Sequence, residues 1–190
     1  MLNNSSFLSI FDYNRKNIAM LKDTVLKAFN EQINAETHSA FLYLSMSAWF
    51  QTQGLTGFAS WMKVQYQEEL VHAMKFFDYI HGRNGRVILE PIAGVQSDFA
   101  GIIDVFEKAL AHEQKVTAMI DKLMDLSIAA NDHASQSFLK WFVDEQVEEE
   151  ANVISILDNL RLINGQGNGI FMMNRELATR SFKNTTTTAE

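Results

Sequence analysis

The stretch QEELVHAMKFFDYI, residues 67–80, decides how this chain folds. Glu69 and His72 stand three residues apart, so on a helix their side chains share one face and can reach one metal ion. Leu55, Phe58, Met62 and Gln65 precede them on that face, and Phe76 and Tyr79 follow. Steps of three and four mark a helix over about residues 55–81, apolar along its inward stripe and interrupted in the middle by a carboxylate and an imidazole. No proline breaks it, and Gly82 and Gly85 follow as stop signals.

Three other segments repeat the pattern. A first helix is expected over about 20–50, with Phe29, Gln32, Glu36, Ser39, Tyr43, Met46 and Phe50 inward and the segment 54–57 closing it. A connection over 83–97, containing Pro91, leads to a third helix capped by Ser97 or Asp98. Its stripe reads Phe106, Ala109, Glu113, Val116, Ile120 and Leu123. After a turn near Asn131, a fourth helix presents Phe138, Phe142, Gln146, Glu149, Val153, Ile156 and Leu160. Gly165, Gly167 and Gly169 read as a hinge before a short fifth helix over about 170–179. The expected fold is therefore all-α: a four-helix bundle with a long crossover between its second and third helices and a short fifth C-terminal helix.

Composition agrees. The chain has 190 residues, 47% hydrophobic, with one proline and nine glycines, which suits one domain poor in helix breakers. There is no cysteine, so disulfides, thiolate metal sites and thiol nucleophiles are excluded. Any metal must bind oxygen and imidazole, which suit iron, manganese or zinc. The net charge of −7 argues against nucleic acid as a partner and is compatible with attracting cations. No run of about 18 apolar residues reads as a membrane span. Residues 1–19 form an extension outside the bundle pattern, 20–180 the domain, and 181–190 a low-complexity tail expected to be disordered. The first residues, MLNNSSFLSIFDYNRKNIAM, lack the order of a secretory signal, so a cytoplasmic setting is expected. Their Ser, Asn, Arg and Lys leave an organelle-targeting reading open.

The polar interruptions carry the functional signal. Glu36, Glu69 with His72, Glu113, and Gln146 with Glu149 each fall near the middle of their helix. Four carboxylates at one depth of a core are intolerable without cations. Four negative charges match two divalent ions. Glu69 could bridge them, with Glu36 and His72 completing one site and Glu113 and Glu149 the other. Gln146 is a neutral neighbour. Tyr43, seven residues after Glu36, is expected beside the centre as a hydrogen-bond donor or electron source, against an ordinary core tyrosine. Glu68, Glu145 and Glu148 flank these residues as a third, weaker metal site, against a solvated acidic patch. For Trp141 the core reading is preferred. Met46, Met62 and Met74 read as core fillers. His38, His81, His112 and His133 read as surface or boundary residues.

On these motifs the chain resembles the ferritin family, most closely its bacterial non-haem branch. The resemblance rests on NEQINAETHSAFLYLSMSAWF, QEELVHAMKFFDYI, HEQKVT, FLKWFVDEQVEEE and GIFMMNRELAT, and covers roughly residues 20–180. Inward carboxylates together with Glu-x-x-His in a helix bundle are the pattern of ferritin-like di-iron proteins. It implies a ferritin-like homo-oligomer, a hollow shell of 24 subunits. It implies a ferroxidase that oxidises Fe(II) with dioxygen or hydrogen peroxide and stores ferric mineral inside. By motif, Glu36, Glu69 and His72 carry over to a first iron site, and Glu69, Glu113 and Glu149 to a second, with Gln146 adjacent. Glu68, Glu145, Glu148 and Glu149 match the third iron site of the bacterial branch, and Tyr43 the family's tyrosine beside the centre. Asn131, Asp132 and His133 are expected near the threefold axes of such a shell.

Leu70 stands where haem-containing relatives usually carry Met, and Gln146-x-x-Glu149 replaces their second Glu-x-x-His, so no haem is expected. The DNA-protecting mini-ferritins lack a fifth helix and fit poorly. The enzymatic alternative is a rubrerythrin-like di-iron peroxidase or oxidase that stores no iron; without cysteine this chain has no rubredoxin-type centre. A storage subunit without ferroxidase activity would lack some of the core ligands. A metal-free helical interaction module would have no use for four buried carboxylates.

Overall fold

A computed structural model describes residues 20–164 and 167–182; the extension 1–19 and residues 183–190 of the tail lie outside the described residues. Five helices follow in order: α1 (Asp23–Thr52), α2 (Thr56–Gly82), α3 (Ile102–Ala129), α4 (His133–Ile163) and α5 (Gly167–Leu177). All four long helices lie within a few residues of their expected spans. No helix among the described residues is long and apolar enough to cross a membrane.

The crossover, residues 83–101, sets the direction of the second helix pair. It is laced along α1 by that helix's own polar side chains. Asn30 accepts from the amide of Ile88 at 2.6 Å and donates to the carbonyl of Arg86 at 3.1 Å. Asn34 donates to the carbonyls of Glu90 and Pro91, and Ser45 to that of Gln96. The strap thus climbs α1 from its start towards its end, so α3 begins beside the end of α1, where Trp49 meets Phe99 edge-on at 5.7 Å. α3 therefore runs parallel to α2, and α4 returns parallel to α1.

Helix ends are where expectation and structure part. Three of the four long helices end on asparagine in the left-handed region: Asn84, Asn131 and Asn164, with φ near 50°. Asparagine tolerates that conformation better than other residues with a Cβ. Gly82 is simply the last residue of α2, and Gly85 packs against Leu26 and Ile80. Neither Ser97 nor Asp98 caps α3. Its cap position is Gly101, and Asp104 in the first turn accepts from the Ala100 amide at 2.9 Å. Gly167 opens α5 rather than serving as a hinge, and Gly165 lies outside the described residues.

α5 closes one end of the bundle. Met173 is buried, and Ile170 and Leu177 pack against the same core. Asn174 completes α2 from a distance. Leu55, the cap position of α2, offers no side-chain acceptor, and Asn174 Oδ1 takes the amides of Gly57 and Phe58 at 2.8 and 3.3 Å. That contact needs a glycine: a Cβ at Gly57 would stand 1.6 Å from the Asn174 carbonyl oxygen.

The core is two apolar halves. Met46, Phe50, Phe58, Met62, Phe106 and Leu157 form the half beside α5. Phe29, Phe76, Ile120, Leu139 and Phe142 form the other, with Phe76 and Phe142 rings 4.3 Å apart. Each such ring contributes roughly 1.5–3 kcal/mol by leaving water. Met74 corrects the reading above: it is 48% exposed, because it stands about 200° around α2 from His72, off the inward stripe. Between the halves lies a polar layer.

Candidate metal centre

All four long helices supply that layer. Gln32, Glu36 and Ser39 of α1, Gln65, Glu69 and His72 of α2, Glu113 of α3, and Gln146 and Glu149 of α4 are all buried, none more than 3% exposed. The period that aims Phe29 and Phe50 inward also aims Glu36, since seven residues make nearly two turns.

Glu36, Glu69 and His72 come together, with one ligand atom of each lying within 4.8 Å of the others. His72 Nδ1 stands 3.6 Å from Glu69 Oε2. A second group meets the same criterion on the other side of the imidazole: His72, Glu145 and Glu149, with His72 Nε2 4.0 Å from Glu145 Oε1. Glu113 belongs to neither group. Its Oε1 accepts a short hydrogen bond from the Tyr43 hydroxyl, and its Oε2 lies 3.4 Å from Gln146 Nε2. Tyr43 is thus beside the centre, fully buried, as a donor to a carboxylate.

Other neutral donors orient the rest. Gln32 donates to Glu36 Oε1 at 2.9 Å, and Gln65 to Glu149 Oε2 at 2.7 Å. Sequence reasoning placed both glutamines on the inward stripe without a role. The i,i+4 spacing of Gln32 and Glu36 was a usable signal. Gln65 reaches Glu149 across the bundle, and nothing local in the sequence announces that. Trp141, expected as core, is half-buried and meets the His72 ring edge-on at 5.4 Å, while Lys75 lies 4.1 Å from its centroid. His112, expected at the boundary, is half-buried and shares a 2.7 Å hydrogen bond with Ser39. Burial, with His38 nearby, lowers His112 to about 4.

Burial and mutual repulsion push three of the layer's acids towards their protonated forms. Burial first, and Glu69 second, raise Glu36 to about 8. Burial, then Glu113 and Glu149, raise Glu69 well above its ordinary range. Burial and Glu149 raise Glu113 to about 7, against the hydrogen bond from Tyr43. Burial and the surrounding carboxylates likewise push the Tyr43 hydroxyl up, so it stays protonated. Glu36 Oε2 and Glu69 Oε2 have no hydrogen-bond partner among the described residues, although both are buried. Bare buried carboxylate oxygens beside an imidazole are a donor set for a hard or borderline divalent ion, and the residues fit iron.

The flanking acids line a groove of about 580 Å3 with His72 at its inner wall. Glu145 reaches into it, Glu148 is exposed at its edge, and Glu68 is bound by Arg180 at 2.6 Å. Burial raises Glu68 to about 7 despite that arginine. Arg180 was not anticipated; it lies beyond the fifth helix, where periodicity no longer speaks.

Comparison with known proteins shows the family and the fold. The sequence pattern of the Ferritin-like domain matches residues 26–163. A bacterial non-heme ferritin of Bacteroides fragilis is 42% identical over 161 residues, covering 85% of this chain and all of the relative. One of Staphylococcus saprophyticus is 39% identical over 163 residues, covering 86% and 98%. Among solved structures, the open pore ferritin of Archaeoglobus fulgidus superposes with a TM-score of 0.84 at 42% identity, over 85% of this chain and 99% of that one. A closed form of it engineered by mutagenesis gives 0.85, over 86% and 99%.

Proposed function

The chain belongs to the ferritin family, and from that premise we propose that it oxidises Fe(II) at its paired carboxylate centre and stores the ferric product inside a shell of identical subunits. One observation carries the chemistry: Glu36, Glu69 and His72 converge with two buried carboxylate oxygens left bare. Iron is substrate and cargo here.

The residues divide the work. Glu36 and His72 hold one ion, Glu113 and Glu149 the second, and Glu69 lies between them. Burial favours the protonated forms of Glu36 and Glu69, so arrival of Fe(II) displaces protons from them. Glu113 must turn from Tyr43 towards the ion, and Tyr43 keeps a donor beside the centre for the oxygen species that collects the electrons. Two Fe(II) ions each lose one electron. Dioxygen with two protons then becomes hydrogen peroxide, or hydrogen peroxide with two protons becomes two waters. Fixed carboxylates favour the more highly charged product ion. Glu68, Glu145, Glu148 and Glu149 form a third, weaker site on the way out. We place the protein in the cytoplasm.

Size-exclusion chromatography after Fe(II) addition in air tests this, with iron and protein recorded together. The expected result is hundreds of irons eluting with a particle of about 24 subunits. A small oligomer with about two irons per chain would favour a non-storing di-iron peroxidase, and a metal-free protein would overturn the site.

A further inference from the structure

Arg180 sits in the acidic groove where a third metal ion would approach. Its Nη2 donates to Glu68 Oε2 at 2.6 Å, with both side chains 22% exposed. Its guanidinium carbon lies 4.6 Å from the Trp61 ring centroid. Its Nη1 is buried and has no hydrogen-bond partner among the described residues. Glu68, His72, Glu145, Glu148, Asn152 and Arg180 share this groove. At its inner wall His72 and Glu145 meet the buried Glu149, with one ligand atom of each lying within 4.8 Å of the others.

These contacts are those of a displaceable cation. Nη2 is engaged and the buried Nη1 has no partner among the described residues, so the arginine is held by fewer bonds than the guanidinium can make. It follows α5 in the irregular segment 178–182, so its withdrawal moves no helix. A divalent ion arriving among Glu145, Glu149 and His72 would repel the guanidinium across a half-buried groove, where screening is weak.

We propose that Arg180 is a resident counter-cation of this groove, antagonistic to metal binding there: it occupies Glu68 when no ion is present, and leaves Glu68 and Trp61 when a divalent ion binds. The inference rests on the metal reading above and adds a residue that tunes it. Arg180 sets how readily ions lodge beside the paired centre, acting through Glu68 as a positioning residue. By neutralising one acid it also lets the groove exist without metal.

The test uses the assembled, metal-free full chain and Zn(II), which does not change oxidation state. In a Trp49→Phe, Trp141→Phe background only Trp61 emits. Its emission should stay constant while the first two equivalents per chain bind and shift as the third binds. With Arg180→Gln added, that shift should vanish. In an otherwise unaltered chain, calorimetric titration should show Arg180→Gln tightening the weakest Zn(II) site by about fivefold, the scale of a partly exposed ion pair, and leaving the tighter sites unmoved. Trp61 emission fixed through saturation, or weakest-site affinities equal within about twofold, overturns the proposal. Two ions bound with no third overturns it while the paired centre stands. No ion bound at all overturns both.

Discussion

Raising the pH should destabilise the metal-free protein, and a redox-inert divalent ion should cancel the loss. Glu36 sets the size. Burial and the facing Glu69 raise it from 4.5 to about 8. Below about pH 4.5 the carboxyl is protonated in both folded and unfolded chains, and pH has no effect through it. Above that, the unfolded chain releases its proton while the folded one keeps it. The folded state then binds more protons, so stability falls with pH until the folded group also ionises near 8. At about 1.4 kcal/mol for each tenfold in proton affinity, that interval is worth ~5 kcal/mol. For a domain of this size it corresponds to roughly 10–20 °C in Tm. Glu113, raised to about 7, acts with the same sign.

The assay is calorimetric melting of metal-stripped protein at about pH 5.5, 7 and 8.5 at fixed ionic strength, with and without Zn(II). Glu36→Gln is the control, because it keeps an oxygen for Gln32 to donate to and cannot ionise. The wild-type Tm should fall steeply across the series, Glu36→Gln should lose a large part of that slope, and Zn(II) should flatten the wild-type curve by displacing the Glu36 proton. A metal-free Tm that is flat or rises with pH would refute the reasoning, as would equal slopes in wild type and variant.

Glu69→Ala should abolish the rapid phase of Fe(II) oxidation in assembled protein, measured by stopped-flow absorbance, because it removes the acid between the two ions; near-normal fast kinetics would sink that assignment. Asn174→Ala should cost about 1 kcal/mol and speed hydrogen exchange at the Gly57 and Phe58 amides, which lose their acceptor. Unchanged exchange there would dismiss the cap supplied across the bundle. Gly57→Ala should loosen the same joint more severely, and the double variant should cost less than the two single losses together, because both break one contact.

The inward faces were legible because periodicity is a short-range property. Every residue assigned to the first helix's stripe, from Phe29 to Phe50, is buried. The ligand-type residues were legible for the same reason: Glu36 and Glu113 stand where the period demands an apolar side chain. What the sequence hid is contact between distant segments. Gln65 and Glu149 are 84 residues apart, and Arg180 and Glu68 are 112 apart. No local pattern encodes either pair. The capping residues were misassigned because the caps are not the usual ones. Asn174 caps α2 from another helix, and left-handed asparagines do the work expected of glycine.

The same chain buries acids in two opposite ways, and the contrast separates scaffold from site. At the end of the bundle, Asp132 caps α4 by accepting from the Ser135 amide, and Arg83 grips it with two nitrogens at 3.2 and 3.1 Å. Against the upward push of burial, those bonds hold Asp132 below the ordinary range, so its charge is neutralised within the fold. In the middle layer no lysine or arginine among the described residues bonds to Glu36, Glu113 or Glu149. Their hydrogen bonds come from Gln32, Tyr43, Gln146 and Gln65, which orient a carboxylate without cancelling its charge. A scaffold acid needs a charged partner and gains nothing from bare oxygens. An ion-binding acid needs the reverse, because an internal cation would compete with the ion at every encounter. Glu68 stands between the two cases, half-buried and paired with an arginine that has an unused nitrogen. On this reasoning its partner, Arg180, is a cation built to be exchanged.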